Sequence, residues 1–390
     1  MKIKSYKQAD LQGVRTAVMR VDANVEINAP HWWNVAGLGL RKYARVEAFL
    51  GEVEGLLAGG RSVVLLSHYG RPDGKRVGRW SLKGFADYLE VRLGRKVIFL
   101  KEIPAKRDWE KSGTPQLIVL ENVRFWEGEE ANDSKFAEQL ASLGDVFVNN
   151  AFGVCHRKQA SVHAITQHMP SFAGADLVRE VAALSAPRKQ PLALVLGGIK
   201  LETKLPLLLA MESEVDTLFL GSGVALPFLV AGGVTGVRLP GGARVTQEQV
   251  RIASKIKRVY GHRLVLPSSY MVDHGGHVHE QHAGEVRGTI YDIGPAAFKD
   301  YHEVLVRTKT VVWNGPLGYV ESRMGTAATK KLAGMLRKNN AHTTIVGGGD
   351  TVEFLDRYRL KAGMNVVSNG GGAMLAFLAG EKMPGLEPLI

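Results

Sequence analysis

Arginine, histidine and amide side chains recur in the first half of the chain wherever a short apolar run ends: Arg20-Val-Asp22-Ala-Asn24, Ser67-His68-Tyr-Gly70-Arg71-Pro72, Glu121-Asn122-Val-Arg124, and Asn149-Asn150-Ala-Phe-Gly153 followed by His156-Arg157. Taken singly, each of these arginines reads as an ordinary solvated charge. Gathered at one rim, His68, Arg71, Arg124 and Arg157, with Arg45 at the start of a helical pattern, make a basic basin for a small, multiply anionic ligand. The planar fork of arginine suits phosphate and carboxylate oxygens.

The second half offers a different chemistry. Glycine clusters follow apolar runs at Gly197-Gly198, Gly221-Ser222-Gly223, Asn314-Gly315-Pro316, Gly347-Gly348-Gly349 and Gly370-Gly371-Gly372. Glycine lets a backbone approach a ring or phosphate, and a helix that starts next offers free N–H groups to an anion. Lys200 and Lys204, four apart after Gly197-Gly198, are expected on one face of the following helix, as point charges for nucleotide phosphates. Asp350, after the glycine triplet, either holds a phosphate-bound Mg²⁺ or N-caps a helix, with Thr351 beside it. No Gly-x-x-x-x-Gly-Lys-Ser/Thr sequence occurs, so a Walker-type NTPase is not supported. Two other groupings are weaker. His274, His277, His279 and His282 lie in a polar stretch with nothing to order them as metal ligands, and Cys155-His156 is more simply a buried thiol than a nucleophile and its base.

Such residues need a scaffold that brings strand ends together. Apolar runs at 16–19, 62–66, 96–99, 117–120 and 145–148 read as buried parallel strands. Between them, Tyr43, Val46, Phe49, Leu50, Val53, Leu56 and Leu57 have helical spacing and stop at Gly59-Gly60. Ser81 is a candidate N-cap of a second helix ending at Gly94, and a third helix begins near Asp133 and ends at Gly144. After a helical stretch bounded by Pro170 and Pro191, the alternation restarts with strands at 192–196, 217–220, 263–266, 310–313 and 343–346. This pattern predicts an α/β protein with two parallel-sheet domains and ligands beyond the carboxyl ends of the strands.

Composition agrees with a globular chain of two or three domains: 390 residues, 45% apolar and 23% charged. Its 45 glycines exceed the usual share of about 7%. A net charge of +12 favours phosphates, acidic metabolites or nucleic acid. One cysteine allows no internal disulfide, and no apolar run is long enough for a membrane span or a signal peptide, so a cytoplasmic protein is expected.

In order along the chain, Arg20-Val-Asp-Ala-Asn24, Leu65-Leu-Ser-His-Tyr-Gly-Arg-Pro72, Leu120-Glu-Asn-Val-Arg-Phe125, Val148-Asn-Asn-Ala-Phe-Gly153, Leu196-Gly-Gly-Ile-Lys200, Val312-Trp-Asn-Gly-Pro-Leu-Gly318 and Gly347-Gly-Gly-Asp-Thr351 resemble the motifs of the phosphoglycerate kinase family. The resemblance implies two Rossmann-like domains facing each other across a cleft and joined by a helical hinge. They would be a phosphoglycerate domain at 1–170, a hinge at 171–190, a nucleotide domain at 191–375 and a segment, 376–390, returning to the first. It implies reversible phosphoryl transfer between 1,3-bisphosphoglycerate and ADP, giving 3-phosphoglycerate and ATP with Mg²⁺, by a monomer. Asp22, Asn24, Arg45, His68, Arg71, Arg124 and Arg157 would hold phosphoglycerate. Gly197, Gly198, Lys200, Lys204, Gly221, Asn314, Glu321, Gly347, Gly348, Gly349, Asp350 and Thr351 would hold the nucleotide, with Glu321 on the ribose and Asp350 on Mg²⁺. Lys204 and Arg45 would meet at the transferring phosphoryl group.

The chain also departs from the family pattern. Ala23 and Glu26 replace a Phe and a Pro, and His31-Trp32-Trp33 falls in a divergent loop where Arg41 rivals Arg45. Asn150, Gln159, Thr203 and Asn369 stand where Asp, His, Asp and Thr are usual, with Glu202 a candidate to compensate for Thr203. The competing reading is a non-catalytic or repurposed basic paralogue that binds nucleotide or nucleic acid. The scattered basic residues and the lack of an aromatic-lined platform argue against nucleic acid.

Overall fold

The computed structural model describes residues 3–24, 43–242, 244–338, 343–368 and 370–390. The expectations at Glu26, His31 to Trp33, Arg41 and Asn369 lie outside them. The chain divides into two compact units, Met1–Ser185 with Lys382–Ile390, and Ala186–Glu381.

In the first unit, β1 (Thr16–Arg20), β2 (Ser62–Leu66), β3 (Val97–Leu100), β4 (Leu117–Leu120), β5 (Val146–Asn149) and β6 (Ser171–Ala173) form one parallel sheet in the order β3-β4-β2-β1-β5-β6. Its strands are apolar on both faces because helices cover both. Ala17, Met19, Val63, Leu65, Leu117 and Val119 pack in one core with Val46, Phe49, Leu50, Val53, Phe85 and Leu89. Val18, Val64, Leu66, Ile118, Leu120 and Phe147 pack in the other with Phe136, Ala137 and Leu140. The predicted stripe of helix Ala44–Ala58 is buried throughout, from Tyr43 to Leu57. Asp133 caps helix Ser134–Ala141 through the Phe136 amide at 2.7 Å. At helix Lys83–Leu93 the N-cap is Leu82 rather than Ser81, since Glu121 accepts from both the Leu82 amide and the Ser81 hydroxyl at 2.7 Å. The stretch from Pro170 to Pro191 is not wholly helical: it opens with β6, and only Ala175–Ser185 is helix.

In the second unit, β7 (Leu192–Leu196), β8 (Thr217–Leu220), β10 (Leu264–Val265), β14 (Thr310–Asn314), β15 (Thr343–Gly347) and β16 (Val366–Ser368) make a second parallel sheet, ordered β10-β8-β7-β14-β15-β16. Trp313 is fully buried beneath helices Pro295–Leu305 and Ala327–Lys338. Between β8 and β14 the chain adds β9 (Val237–Arg238), β11 (Ser269–His274), β12 (His277–His282) and β13 (Gly288–Ile293), a four-stranded sheet ordered β12-β11-β13-β9. This hairpin holds the histidine cluster, which reads from the sequence as an unordered polar stretch. The register pairs His274 with His277 and Val272 with His279, while His282 lies at the opposite parity of β12. The strand period therefore puts His274, His277 and His279 on one face and His282 on the other. Among the described residues no group of three potential metal ligands forms.

Candidate active site

Register fixes where the strand ends fall. In the first unit Arg20 pairs with Leu66 on one side and Asn149 on the other, so residues following β1, β2 and β5 leave the sheet at one level. Successive strands run outward from β1 through β2, and the chain then returns to β5 on the other side of β1, making a topological switch point there. Asp22 sits at this point. Its Oδ1 accepts from the Asn24 amide at 3.1 Å and its Oδ2 pairs with Arg45 at 3.3 Å. Asn24 Oδ1 accepts from the Gly70 amide at 3.1 Å, and the Gly70 carbonyl accepts from Arg124 Nη1 at 2.8 Å. A continuous chain thus joins Arg45, Asp22, Asn24 and Arg124, with Gly70 linking Asn24 to Arg124. The motif contained Gly70 without revealing this role. Its φ of +63° suits glycine, and a Cβ there would overlap the Trp80 ring.

Arg124 has 3% of its surface exposed, and burial, then the charges of Arg157 and Arg20, pushes its guanidinium down to about 10. Its Nε and Nη2 are buried and make no hydrogen bond, although Glu130 Oε1 lies 3.5 Å from Nε. His68 is also buried. Burial, then Arg20, Arg124, Arg157 and Arg45, holds its imidazole well below the usual histidine range. This corrects the expected basin: His68 is there, but as a neutral ring. Arg157 is half-buried and Arg71 exposed on the loop after Gly70.

Asn150 donates to Glu52 at 2.5 Å and Asp176 at 3.3 Å, and accepts from the Leu177 amide at 3.1 Å. Cys155 is fully buried and pushed up to about 12 by that burial. Its thiol donates to the Ala151 carbonyl at 3.4 Å, so it forms no pair with His156.

In the second unit Asn314 pairs with Leu196 and with Gly347, which levels the ends of β7, β14 and β15 at the switch point between β7 and β14. Lys204 donates from Nζ to Asn314 Oδ1. Burial lowers the Lys204 amine to about 8, against the attraction of Asp350. Asn314 is 2% exposed, and its Nδ2 has no hydrogen-bond partner. Lys200 does not share a helix face with Lys204. It is exposed in a loop, Lys204 ends a 3-10 turn, and the helix begins only at Leu205, where Pro206 suits a first turn. Thr203 donates to the Lys200 carbonyl at 2.8 Å, and Glu202 accepts from Gln249 at 3.2 Å.

Several of the glycines also answer to packing within the unit. A Cβ on Gly197 would overlap the Pro316 carbonyl, and one on Gly221 would lie 2.9 Å from Leu317 Cα, so these glycines let the strand-end loops pack on each other. Gly198, at φ +81°, faces open space. Gly347 ends β15 against Met374, and Gly348, at φ +107°, caps the helix Gly349–Arg357. Asp350 is exposed on the first turn of that helix, while Thr351 is buried and accepts from the Gly315 amide at 2.9 Å. Glu321 is exposed on the turn before the 3-10 helix Arg323–Gly325.

The phosphoglycerate kinase family model matches residues 6–381. The phosphoglycerate kinase of Coprothermobacter proteolyticus is 35% identical over 408 residues, covering 100% of this chain and 99% of its own. That of Synechococcus elongatus is 35% identical over 415 residues, covering 99% and 98%. The solved structure of the Coxiella burnetii enzyme superposes with a TM-score of 0.79 at 31% identity, covering 100% and 99%. That from Pyrococcus horikoshii gives 0.81 at 25% identity, covering 96% of each chain. Sheet order, strand-end chemistry and these likenesses over nearly the full length agree: the chain belongs to the phosphoglycerate kinase family, phosphotransferases that act on a carboxyl acceptor.

Proposed function

We propose that this protein catalyses reversible, Mg²⁺-dependent phosphoryl transfer between 1,3-bisphosphoglycerate and ADP, giving 3-phosphoglycerate and ATP. The observation that carries the proposal is Arg124: a buried guanidinium whose Nη2 has no partner and whose Nε meets only the Glu130 carboxylate, at 3.5 Å and without a hydrogen bond, is costly unless a further anion completes it. Asp22, Asn24, Arg45, His68, Arg71, Arg124 and Arg157 hold the phosphoglycerate. Gly197, Gly198, Lys200, Lys204, Gly221, Asn314, Glu321, Gly347, Gly348, Gly349, Asp350 and Thr351 hold the nucleotide, whose phosphates meet the Lys204 amine, the unpartnered Asn314 amide and the start of the Gly349–Arg357 helix.

Asp350 fits Mg²⁺. It is an exposed oxygen donor whose charge is felt at Lys204, and among the described residues no cage of three ligands competes with it. Mg²⁺ commonly takes one or two carboxylates and shares its other positions with phosphate and water. When bound, it neutralises phosphate charge. An acyl phosphate needs no protein nucleophile, so positioning and charge stabilisation carry the transfer, with Lys204 and Arg45 on the moving group. The two half-sites belong to different units, and we assign the hinge to 171–190, around the Ser185/Ala186 boundary. Closure there brings the reactants in line and keeps water from the acyl phosphate. A monomer in the cytoplasm is proposed, in keeping with a relative from Arabidopsis thaliana named as cytosolic.

The test is ATP consumption with 3-phosphoglycerate and Mg²⁺, read by an acyl-phosphate trap, for wild type, Lys204→Ala and Arg45→Ala. Wild-type turnover that drops at least ~100-fold in both variants supports the assignment. Folded wild type that binds ATP without turnover overturns it in favour of a nucleotide-binding paralogue.

A further inference from the structure

Behind the first half-site lies a buried polar chain with no role in the scheme above. Arg20, with 0% exposure, ends β1, and its three kinds of nitrogen are all engaged. Nε donates to Ser161 Oγ at 2.9 Å, Nη1 donates to the Val21 carbonyl at 2.5 Å, and Nη2 lies 3.1 Å from His68 Nδ1. Ser161 in turn donates from Oγ to Glu129 Oε1 at 2.7 Å and from its amide to Oε2 at 2.9 Å. Glu129 is also at 0% exposure.

Elementary valence fixes the protons along this chain. A guanidinium has donors only, so His68 Nδ1 must be the acceptor and cannot carry hydrogen. A serine hydroxyl has one hydrogen. Because Ser161 Oγ accepts from Arg20, that hydrogen goes to Glu129, whose two oxygens are then both acceptors.

We propose that Arg20, anchored through Ser161 to Glu129, is a positioning residue that locks His68 in the neutral Nε2–H form, so that the ring offers bound phosphoglycerate a directed donor rather than a charge. This rests on the phosphoglycerate reading of the site. Protonating His68 would set an N–H against the Arg20 guanidinium. The other charges acting on the ring, Arg124, Arg157 and Arg45, are positive as well. A merely structural ion pair would stabilise the fold without selecting a tautomer. Here the pair ends on the ring of a ligand residue.

The test is long-range ¹H–¹⁵N spectroscopy of histidine-labelled protein, with the His68 signals identified by their loss in His68→Gln. Wild type should show the neutral Nε2–H pattern unchanged between about pH 5.5 and 8. In Arg20→Met/Glu129→Gln, which removes both buried charges together, the folded protein should show mixed tautomers and a titrating ring. The KM for 3-phosphoglycerate should rise on the order of tenfold, with that for ATP unchanged. A wild-type ring protonated at Nδ1, or one titrating near its ordinary value of about 6.5, overturns the proposal, as does an unaltered ring signal in the double variant. If the ring behaves as expected but 3-phosphoglycerate neither binds nor reacts, the hold on the ring stands and the substrate assignment fails.

Discussion

Lys204 and Asn314, more than a hundred residues apart, meet where β7 and β14 end, and the lysine holds the amide by its oxygen. The amide oxygen accepts the hydrogen bond that the lysine Nζ donates, which leaves Nδ2 as the free face of the amide. Burial makes the lysine charge costly and lowers its amine to about 8.

That lowered value gives the first prediction. Transfer that needs a cationic Lys204 should lose kcat/KM for ATP above about pH 8, following a single proton. In stability the sign is opposite. The unfolded chain holds this proton more tightly, so the burial penalty is full at neutral pH and fades as pH rises from about 8 toward the ordinary lysine value. Lys204→Met should therefore abolish turnover yet raise the melting temperature at pH 7, with a smaller gain near pH 10. A melting temperature lowered equally at both pH values would refute the burial penalty.

The glycines of the second rim separate by substitution. Gly197→Ala puts a methyl group into the Pro316 carbonyl and should cost about 3 kcal/mol. Gly198→Ala meets only backbone strain at φ +81° and should cost about 1–2 kcal/mol. Urea unfolding of the two variants side by side measures the difference, and equal costs would refute the packing role of Gly197.

Asn150 tests whether a departure from the family pattern can be reversed alone. Asn150→Asp replaces the donor to Glu52 with a third carboxylate beside Glu52 and Asp176. The new carboxyl would have a raised folded pKa, so its penalty is complete above that value and fades as pH falls from it toward the ordinary aspartate value. A loss of about 2 kcal/mol at pH 8 that shrinks at pH 5 is expected from unfolding curves. No loss at pH 8 would show that the neighbouring carboxylates are accommodated differently.

Cys155 should resist alkylation. With the thiol pushed up to about 12 and no exposed surface, iodoacetamide at pH 8 should label it only after denaturant is added. Rapid labelling of the native protein would contradict the burial.

The parts of the molecule that the sequence made legible are those governed by local periodicity. Apolar runs gave the long central strands, and the spacing of Phe136 and Leu140 gave the helix that begins near Asp133. The residues of each rim were also legible, because parallel sheets oblige strand ends to share an edge. What could not be read depends on partners far along the chain. The depressed imidazole of His68 comes from burial and then from Arg20, the partner of Lys204 is Asn314 on a distant strand, and the glycines at 197 and 221 answer to residues near 316. The histidine hairpin was missed for another reason: its second strand, β12, is largely exposed and carries polar residues on both faces, so no apolar alternation marks it.

The first unit is closed by residues that come after the whole of the second. The Lys4 amide donates to the Leu389 carbonyl at 2.7 Å, the Gly385 amide to Cys155 at 2.9 Å, and Asn149 to Gly385 at 3.1 Å. On a ribosome, then, the unit begun first is finished last: its sheet must wait, lacking its final strap, while nearly two hundred intervening residues emerge and complete their own fold.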